Sequence, residues 1–453
     1  MRARLLLLAA ALAAFGGSLL AGFHLDDYAI FADPLLRSAR GWQQMWGWRQ
    51  PHPLTHLTFW LNYQAGAQEP LGYHAVSLLL HLGAVLLAYE CLRRLLPATA
   101  ALVAAAIFAV HPLQAEAVNY VAMRGVMLAA LLCFASLLAW IEERPWLAVA
   151  AFAAAMLADE QCALLPVVLL LVDRKRKVPL VCMFAVAVAG VARLYPANYV
   201  IALVSARFVR FLRLLVLPWG FTVAPPEMRE PLWLGVTLTV AMAAAAVWGW
   251  RKRRAYAELK WLLAGYVLLI PSFSAHPASD PRMCLPMFAF AAAAALLLAR
   301  IPMRHVATGL VAILLALSIG RTYVWASDER LWREAVRRAP DEVEPKIQLA
   351  KSLRAADALE LLGRARQLAP YNPEIPAEIG KVFLDEQQYD AAVDELSHAV
   401  ALNPANALAF NNRGVALAAL GQTAAAAADF GHALSLDPDL AEARENLKRL
   451  GAR

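Results

Sequence analysis

Two adjacent carboxylates, Asp26 and Asp27, stand directly after the first apolar run of the chain, in Phe23-His24-Leu25-Asp26-Asp27-Tyr28. A carboxylate so placed can act as general base toward an acceptor hydroxyl. Its neighbour can hold a cation, or raise the first group's pKa by like-charge repulsion. The plainer role is a loop acid pair or a helix cap, because Asp is a favoured N-cap. The dipeptide alone does not choose between these roles, nor between the two acids.

Further along lie His52, His56, His74 and His81. His52 and His56 are four apart, a spacing that suits a metal on one helix face, but Pro53 sits between them and no HExxH pattern exists. The better reading is the polar lining of a substrate cavity, with no metal site assigned. Glu116, Asn119 and Arg124 follow the third apolar run, and Asp159-Glu160 interrupts a later one. Ionisable groups beside spans are costly and tend to line cavities, or else sit in loops just outside the bilayer. Arg207, Arg210 and Arg213 recur every third residue among Phe and Leu, which suits an interfacial helix near a lipid phosphate or simple snorkelling. Arg282 is a phosphate clamp in type, since guanidinium matches phosphate bidentately.

The elements that must position these groups are apolar. Of 453 residues, 61% are hydrophobic and 17% charged, and the mean hydropathy is +0.51. A soluble domain carries about a quarter charged residues. The surplus lies in residues 1–323, and 324–453 reads as a soluble helical segment. The expectation is therefore an all-α chain: a polytopic membrane domain over 1–323 and a helical repeat domain over 324–453. About eleven spans are expected, near 5–23, 73–92, 98–112, 125–141, 146–158, 162–173, 178–195, 231–250, 260–273, 284–300 and 305–323. The pair 146–158 and 162–173 is the weakest and reads equally as a broken hairpin. The first run also has the make-up of a cleavable signal peptide, an alternative that leaves the later argument intact.

The net charge of +7 is spread as short clusters between the runs: Arg2/Arg4, Arg93/Arg94, Arg174 to Lys177, Arg251 to Arg254 and Arg300/Arg304. That placement reads as cytoplasmic loops, not as a nucleic-acid surface. The acidic pair and the loops 24–72 and 196–230 then face the other side. The five cysteines lie in or beside apolar runs without a CxxC pair, which argues against a disulfide framework or a zinc site.

Pro370, Pro404 and Pro438 are spaced by 34 residues, as are Gly380 and Gly414, Ala391 and Ala425, Ala399 and Ala433, and Leu402 and Leu436. This period, with Pro at the repeat end, marks tetratricopeptide repeats (TPRs). An earlier unit, about 341–369, is shortened, with Pro340 only 30 residues before Pro370. Such an array makes a concave surface for a peptide or protein; it can also only cap the membrane domain or mediate self-association.

Taken in order, the acidic pair, His-Pro-Leu-Thr at 52–55, Leu-Asn-Tyr at 61–63, Gly-Tyr-His at 72–74, Phe-Ala-Val-His-Pro-Leu-Gln-Ala-Glu-Ala-Val at 108–118 and Arg-Met-Cys-Leu-Pro at 282–286, followed by repeats, resemble the transmembrane-and-TPR (TMTC-like) family of protein O-mannosyltransferase-related GT-C glycosyltransferases. The resemblance implies a GT-C-like membrane domain and a polyprenyl- or dolichyl-phosphate sugar as donor. It implies transfer to a protein hydroxyl on the non-cytoplasmic face, with the TPRs holding the acceptor. Asp26 and Asp27 match the catalytic acids, Glu116 the acid of the His-Pro-Leu-Gln segment, and Arg282 a late-loop arginine near the donor phosphate. His52, His56, His74, Arg124, Glu160 and Arg210 complete the expected donor and substrate site. Met123-Arg124-Gly125-Val126 lacks the acid that relatives carry after the arginine, and Asp159-Glu160 stands where they tend to have Lys-Glu. No cofactor is required; a divalent cation is compatible with the acidic pair. High Ala, Arg and Leu content suits a GC-rich bacterial genome, which would place the chain in an inner membrane with periplasmic TPRs. The rival readings are a non-catalytic membrane scaffold for envelope assembly and a transporter of lipid-linked sugars. A transporter would be expected to carry ionisable groups at midspan or inverted repeats, and neither is evident.

Overall fold

A computed structural model describes residues 1–46, 51–172, 176–194, 213–218 and 220–223, positions 237, 240, 241, 244 and 248, and residues 257–270, 283–301 and 304–451. Among these, the regular secondary structure is entirely helical. The chain divides into two compact units, Met1–Phe221 with Glu227–Ser327, and Asp328–Arg453 with Thr222–Pro226.

The first unit opens with α1 (Arg2–Phe15), extended by a 3-10 turn at Gly16–Leu20. Three single-turn helices follow, α2 (Asp27–Ile30), α3 (Pro34–Arg37) and α4 (Gly41–Gln44). Then come α5 (Pro53–Gly66), α6 (Pro70–Leu95), α7 (Ala98–Val110), α8 (Gln114–Asn119), α9 (Arg124–Ile141) and α10 (Pro145–Ala158). The described part of the unit closes with α11 (Leu165–Val172), α12 (Lys177–Leu194), α13 (Ala257–Leu269), α14 (Cys284–Leu298) and α15 (Arg304–Trp325). Pro53, Pro70 and Pro145 each occupy the first turn of their helix, where a missing N–H is no loss and φ is already set. The core is rich in alanine: Ala84 and Ala88 of α6, Ala101, Ala104 and Ala105 of α7, and Ala292 of α14 are completely buried. Side chains this small let apolar helices approach closely where lipid offers no hydrophobic drive.

Among the described residues, four helices are long and apolar enough to cross a membrane: Arg2–Leu20, Pro70–Leu95, Val121–Ile141 and His305–Trp325. Ala98–Val110, Pro145–Ala158, Glu160–Leu170, Lys177–Val191 and Cys284–Leu298 are apolar but shorter. The chain is a membrane protein, but the eleven full spans expected from the sequence are not confirmed. One reason is visible at Asp159, which takes an extended backbone and ends α10, splitting the apolar stretch 146–173 into two short helices. The expected run 260–273 appears as Ala257–Leu269; the run 231–250 falls outside the described residues except for the isolated positions named above.

The basic clusters that are described gather at one end of this bundle. Arg4, at the start of α1, reaches Glu90 near the end of α6 at 2.6 Å. Arg93 joins the same carboxylate at 2.6 Å, and Arg94 bridges it to Glu142 beyond α9 at 2.5 Å. Arg300, after α14, pairs with Glu258 at the start of α13 at 2.6 Å. The acidic pair follows α1 at the opposite end. Arg174, Lys175 and Arg251 to Arg254 lie outside the described residues.

The second unit is a stack of helices: α16 (Asp328–Arg338), α17 (Glu344–Ala350), α18 (Ala355–Leu368), α19 (Glu374–Asp385), α20 (Tyr389–Leu402), α21 (Ala407–Ala419), α22 (Thr423–Leu436) and α23 (Ala441–Gly451). The helix α17 has only 7 residues, which accounts for the shortened first unit. Gly380 of α19 and Gly414 of α21, one period apart, each face a side chain of the paired helix with no room for a Cβ. A Cβ on Gly380 would come within 2.6 Å of Leu396, and one on Gly414 within 2.7 Å of Phe430. Leu396 and Phe430 are themselves buried and fill the space the glycines leave.

Candidate active site

The segment after α1 is fastened by aromatic rings. Phe23 packs edge-on against Phe31 at 4.8 Å and Tyr73 of α6 at 5.4 Å. Leu25 takes a left-handed conformation, φ 51°. The tight turn there brings His24 and Asp27 together: the Asp27 N–H donates to the His24 carbonyl at 2.9 Å. In return, Asp27 Oδ2 accepts the His24 N–H at 3.0 Å.

The two acids have different surroundings. Asp27 is fully buried, and its Oδ1 accepts the Ala122 N–H at 2.7 Å, fixing the first loop to the turn before α9. Burial pushes its carboxyl up to about 6, against the opposing pull of the backbone N–H groups. Asp26 is exposed. The Tyr120 hydroxyl donates to its Oδ2 at 2.9 Å and accepts its backbone N–H at 3.1 Å. Burial raises the Tyr120 phenol, so it stays a neutral donor. Its ring stacks on Trp325, the last residue of α15, with centroids 5.6 Å apart. Asp27 thus fastens the loop, and Asp26 presents an oriented, solvent-facing carboxylate.

The other sequence-selected residues divide the same way. His52, left-handed at φ 49° and directly ahead of α5, meets Glu160 through a short Nε2···Oε2 contact. His56 turns instead to Asp33, 3.8 Å away, and burial lowers its pKa. The two histidines therefore do not act as a pair. Arg124 is completely buried. It donates to the Tyr73 carbonyl at 2.9 Å and to Thr58 Oγ1 at 3.3 Å, and lies over the Phe59 ring at 4.6 Å. It fastens α5, α6 and α9 to one another. His74, buried in α6, gives its Nε2–H to the Gly22 carbonyl at 3.0 Å. Glu116, nearly buried, supplies from its backbone the carbonyl that receives the Tyr120 N–H at 2.9 Å. Arg207, Arg210 and Arg282 lie outside the described residues.

Sequence reasoning did not single out Tyr120 or Trp325 as site residues. Tyr120 is 94 residues from Asp26, and no local spacing marks a contact of that range.

Two family models match within the repeat unit: a TPR repeat model over residues 380–421 and a tetratricopeptide repeat model over 407–440. Among curated proteins, Protein O-mannosyl-transferase Tmtc1 of Drosophila melanogaster is 39% identical over 142 residues, covering 27% of this chain and 16% of the relative. Protein O-mannosyl-transferase Tmtc3 of the same organism is 38% identical over 112 residues, 20% of this chain and 12% of the relative. The chain is TMTC-like and carries TPRs. It matches only about a sixth of the first relative's length. Among solved structures, the Arabidopsis OM64 TPR domain is 28% identical, covering 24% of this chain and 93% of that one, with a TM-score of 0.24.

Proposed function

We propose that this TMTC-like protein is a membrane glycosyltransferase of the GT-C type, moving a sugar from a polyprenyl-phosphate donor to a protein hydroxyl on the non-cytoplasmic face. The observation that carries the reading is the division of labour at the acidic pair. Asp26 is exposed and aimed by Tyr120, whereas Asp27 is buried and tied to backbone. A general base must be within reach of the acceptor, and the exposure of Asp26 supports that role for it over Asp27. In the reaction, the acceptor oxygen forms a bond to the anomeric carbon as the bond from that carbon to the donor's phosphate oxygen breaks. The acceptor proton goes to Asp26, and the lipid phosphate leaves as the anion. Attack opposite the leaving group inverts the anomeric centre. Arg210 and Arg282 are assigned to the donor phosphate on their chemistry alone, because guanidinium pairs with phosphate bidentately. The names of the curated relatives, protein O-mannosyl-transferases, favour mannose among sugars and protein among acceptors. The repeats would hold the acceptor polypeptide. The gathered basic end supports a cytoplasmic assignment for that face.

The test is transfer in membranes from a panel of radiolabelled polyprenyl-phosphate sugars to envelope proteins, with the full chain beside its Asp26→Asn variant. Label reaching protein with the first and not the second supports the reading and names the sugar. Transfer by neither, with the repeats still capturing a partner, would replace it with a membrane scaffold.

A further inference from the structure

We propose that His52, Asp159 and Glu160 form a binding site for one divalent ion of the zinc class, held between the start of α5 and the turn joining α10 to α11. The three side chains come from two segments more than a hundred residues apart, His52 and Glu160 being separated by 108. Their donor atoms lie within 4.8 Å of one another. Zinc binds His nitrogen and carboxylate oxygen at roughly 2.0–2.2 Å, which sets donor atoms about 3–4 Å apart. The His52 ring and Glu160 carboxylate are in direct contact through Nε2 and Oε2, and an ion between them would replace that contact.

The surroundings support a built site. Thr55, one turn after His52, donates its hydroxyl to the carbonyl of Ala158, the residue before Asp159, at 2.8 Å. A Cβ on Gly125 would stand 3.0 Å from both that carbonyl and Thr55 Oγ1, so α9 closes on the junction from a third side. Asp159 is held by its own turn, accepting the Gln161 N–H at 2.9 Å. Ligands on such tied segments are oriented before the ion arrives. Two carboxylates and a neutral imidazole balance a 2+ charge. The mixed nitrogen and oxygen set favours zinc-class ions over magnesium or calcium, which prefer oxygen alone. Three protein ligands leave one position open to water or a ligand oxygen.

The inference is independent of the transferase reading, because an ion can bind here whether or not Asp26 does chemistry. The test uses the full chain in phosphatidylcholine nanodiscs, stripped with a chelator and titrated with Zn2+ against a chromophoric indicator. One equivalent is expected to bind, and His52→Ala and Glu160→Gln should each weaken it at least about 10-fold. His56→Ala and Asp26→Asn should bind like wild type, and Zn2+ should raise the Tm of wild type but not of His52→Ala. If His52→Ala does not fold, Glu160→Gln carries the same comparison. Equal affinity in wild type and Glu160→Gln, less than one equivalent bound, or an equal loss in His56→Ala would overturn the site.

Discussion

Tyr120 both gives and takes a hydrogen bond at Asp26, its hydroxyl donating to Oδ2 at 2.9 Å and accepting the backbone N–H at 3.1 Å. The phenol therefore fixes both the position of the carboxylate and the backbone that carries it. If Asp26 is the base, Asp26→Asn should lower the transfer rate by roughly 10²–10⁴-fold, the usual worth of a general base. Tyr120→Phe keeps the ring on Trp325 and removes only the hydroxyl. It should lower kcat about 5-fold, the equivalent of one hydrogen bond near 1 kcal/mol, with little change in acceptor KM. Steady-state transfer assays on both variants decide this; a Tyr120→Phe enzyme with unchanged kcat would remove the tyrosine from the positioning of the base.

Asp27 makes the opposite kind of prediction. Its folded-state carboxyl, near 6, lies above its ordinary 3.8. Between those values the folded protein holds a proton that the unfolded chain has lost, so this group's contribution to stability falls as pH rises from about 4 to 6 and is flat above that. The upper limit, for a shift of about two units, is roughly 3 kcal/mol. Melting of wild type and Asp27→Asn in nanodiscs across pH 4–8 isolates it as the difference between the two curves. The gap should change through this window; parallel curves would contradict the assignment.

Arg124 was attractive in the sequence as a substrate-side cation, and its place in the structure gives it different work. It is fully buried, bonded to Thr58 and the Tyr73 carbonyl, with Phe59 beneath it. Lysine cannot reproduce a planar fork that bonds two helices while lying on a ring. Arg124→Lys should therefore cost about 1–3 kcal/mol of stability, read as a lower Tm and folded yield. The donor KM of the protein that does fold should stay within about twofold of wild type, because 1.4 kcal/mol is needed for a tenfold change. A selective rise in donor KM at unchanged Tm would return Arg124 to the binding site.

The helices were legible where signals are local. Pro53, Pro70 and Pro145 mark helix starts, and the apolar runs locate α1, α6, α9 and α15. The number of full spans was not, because hydropathy does not say whether a 13-residue helix such as Ala98–Val110 is covered by lipid or by other helices. At the site, residue types were legible and partners were not. Asp26 meets Tyr120 and His52 meets Glu160 only after the bundle closes, across separations of 94 and 108 residues. The i,i+4 spacing of His52 and His56 would suit a shared ligand only on one continuous helix, which Pro53 already argued against. The left-handed turn at His52 places it outside α5, so its ring leaves the face that His56 occupies.

The 34-residue period was the most literal signal in the chain, and it carries its own test. Gly380 and Gly414 occupy equivalent positions, and at each a methyl group would collide with a buried side chain of the paired helix, Leu396 at 2.6 Å and Phe430 at 2.7 Å. In an open helix Gly→Ala stabilises by about 1 kcal/mol. Here the collision opposes that gain, since overpacking a close contact costs about 1–3 kcal/mol. Gly380→Ala and Gly414→Ala should each lower the Tm of the repeat unit's transition. Gly363→Ala, at an open helical position with nothing within 4 Å, should not. Pairing Gly414→Ala with Phe430→Leu should recover part of the loss, because the smaller side chain yields the space the methyl needs. If the single glycine variants melt like Gly363→Ala, the helix pairs are looser than the distances require, and the small-residue positions of the repeat do not set its packing.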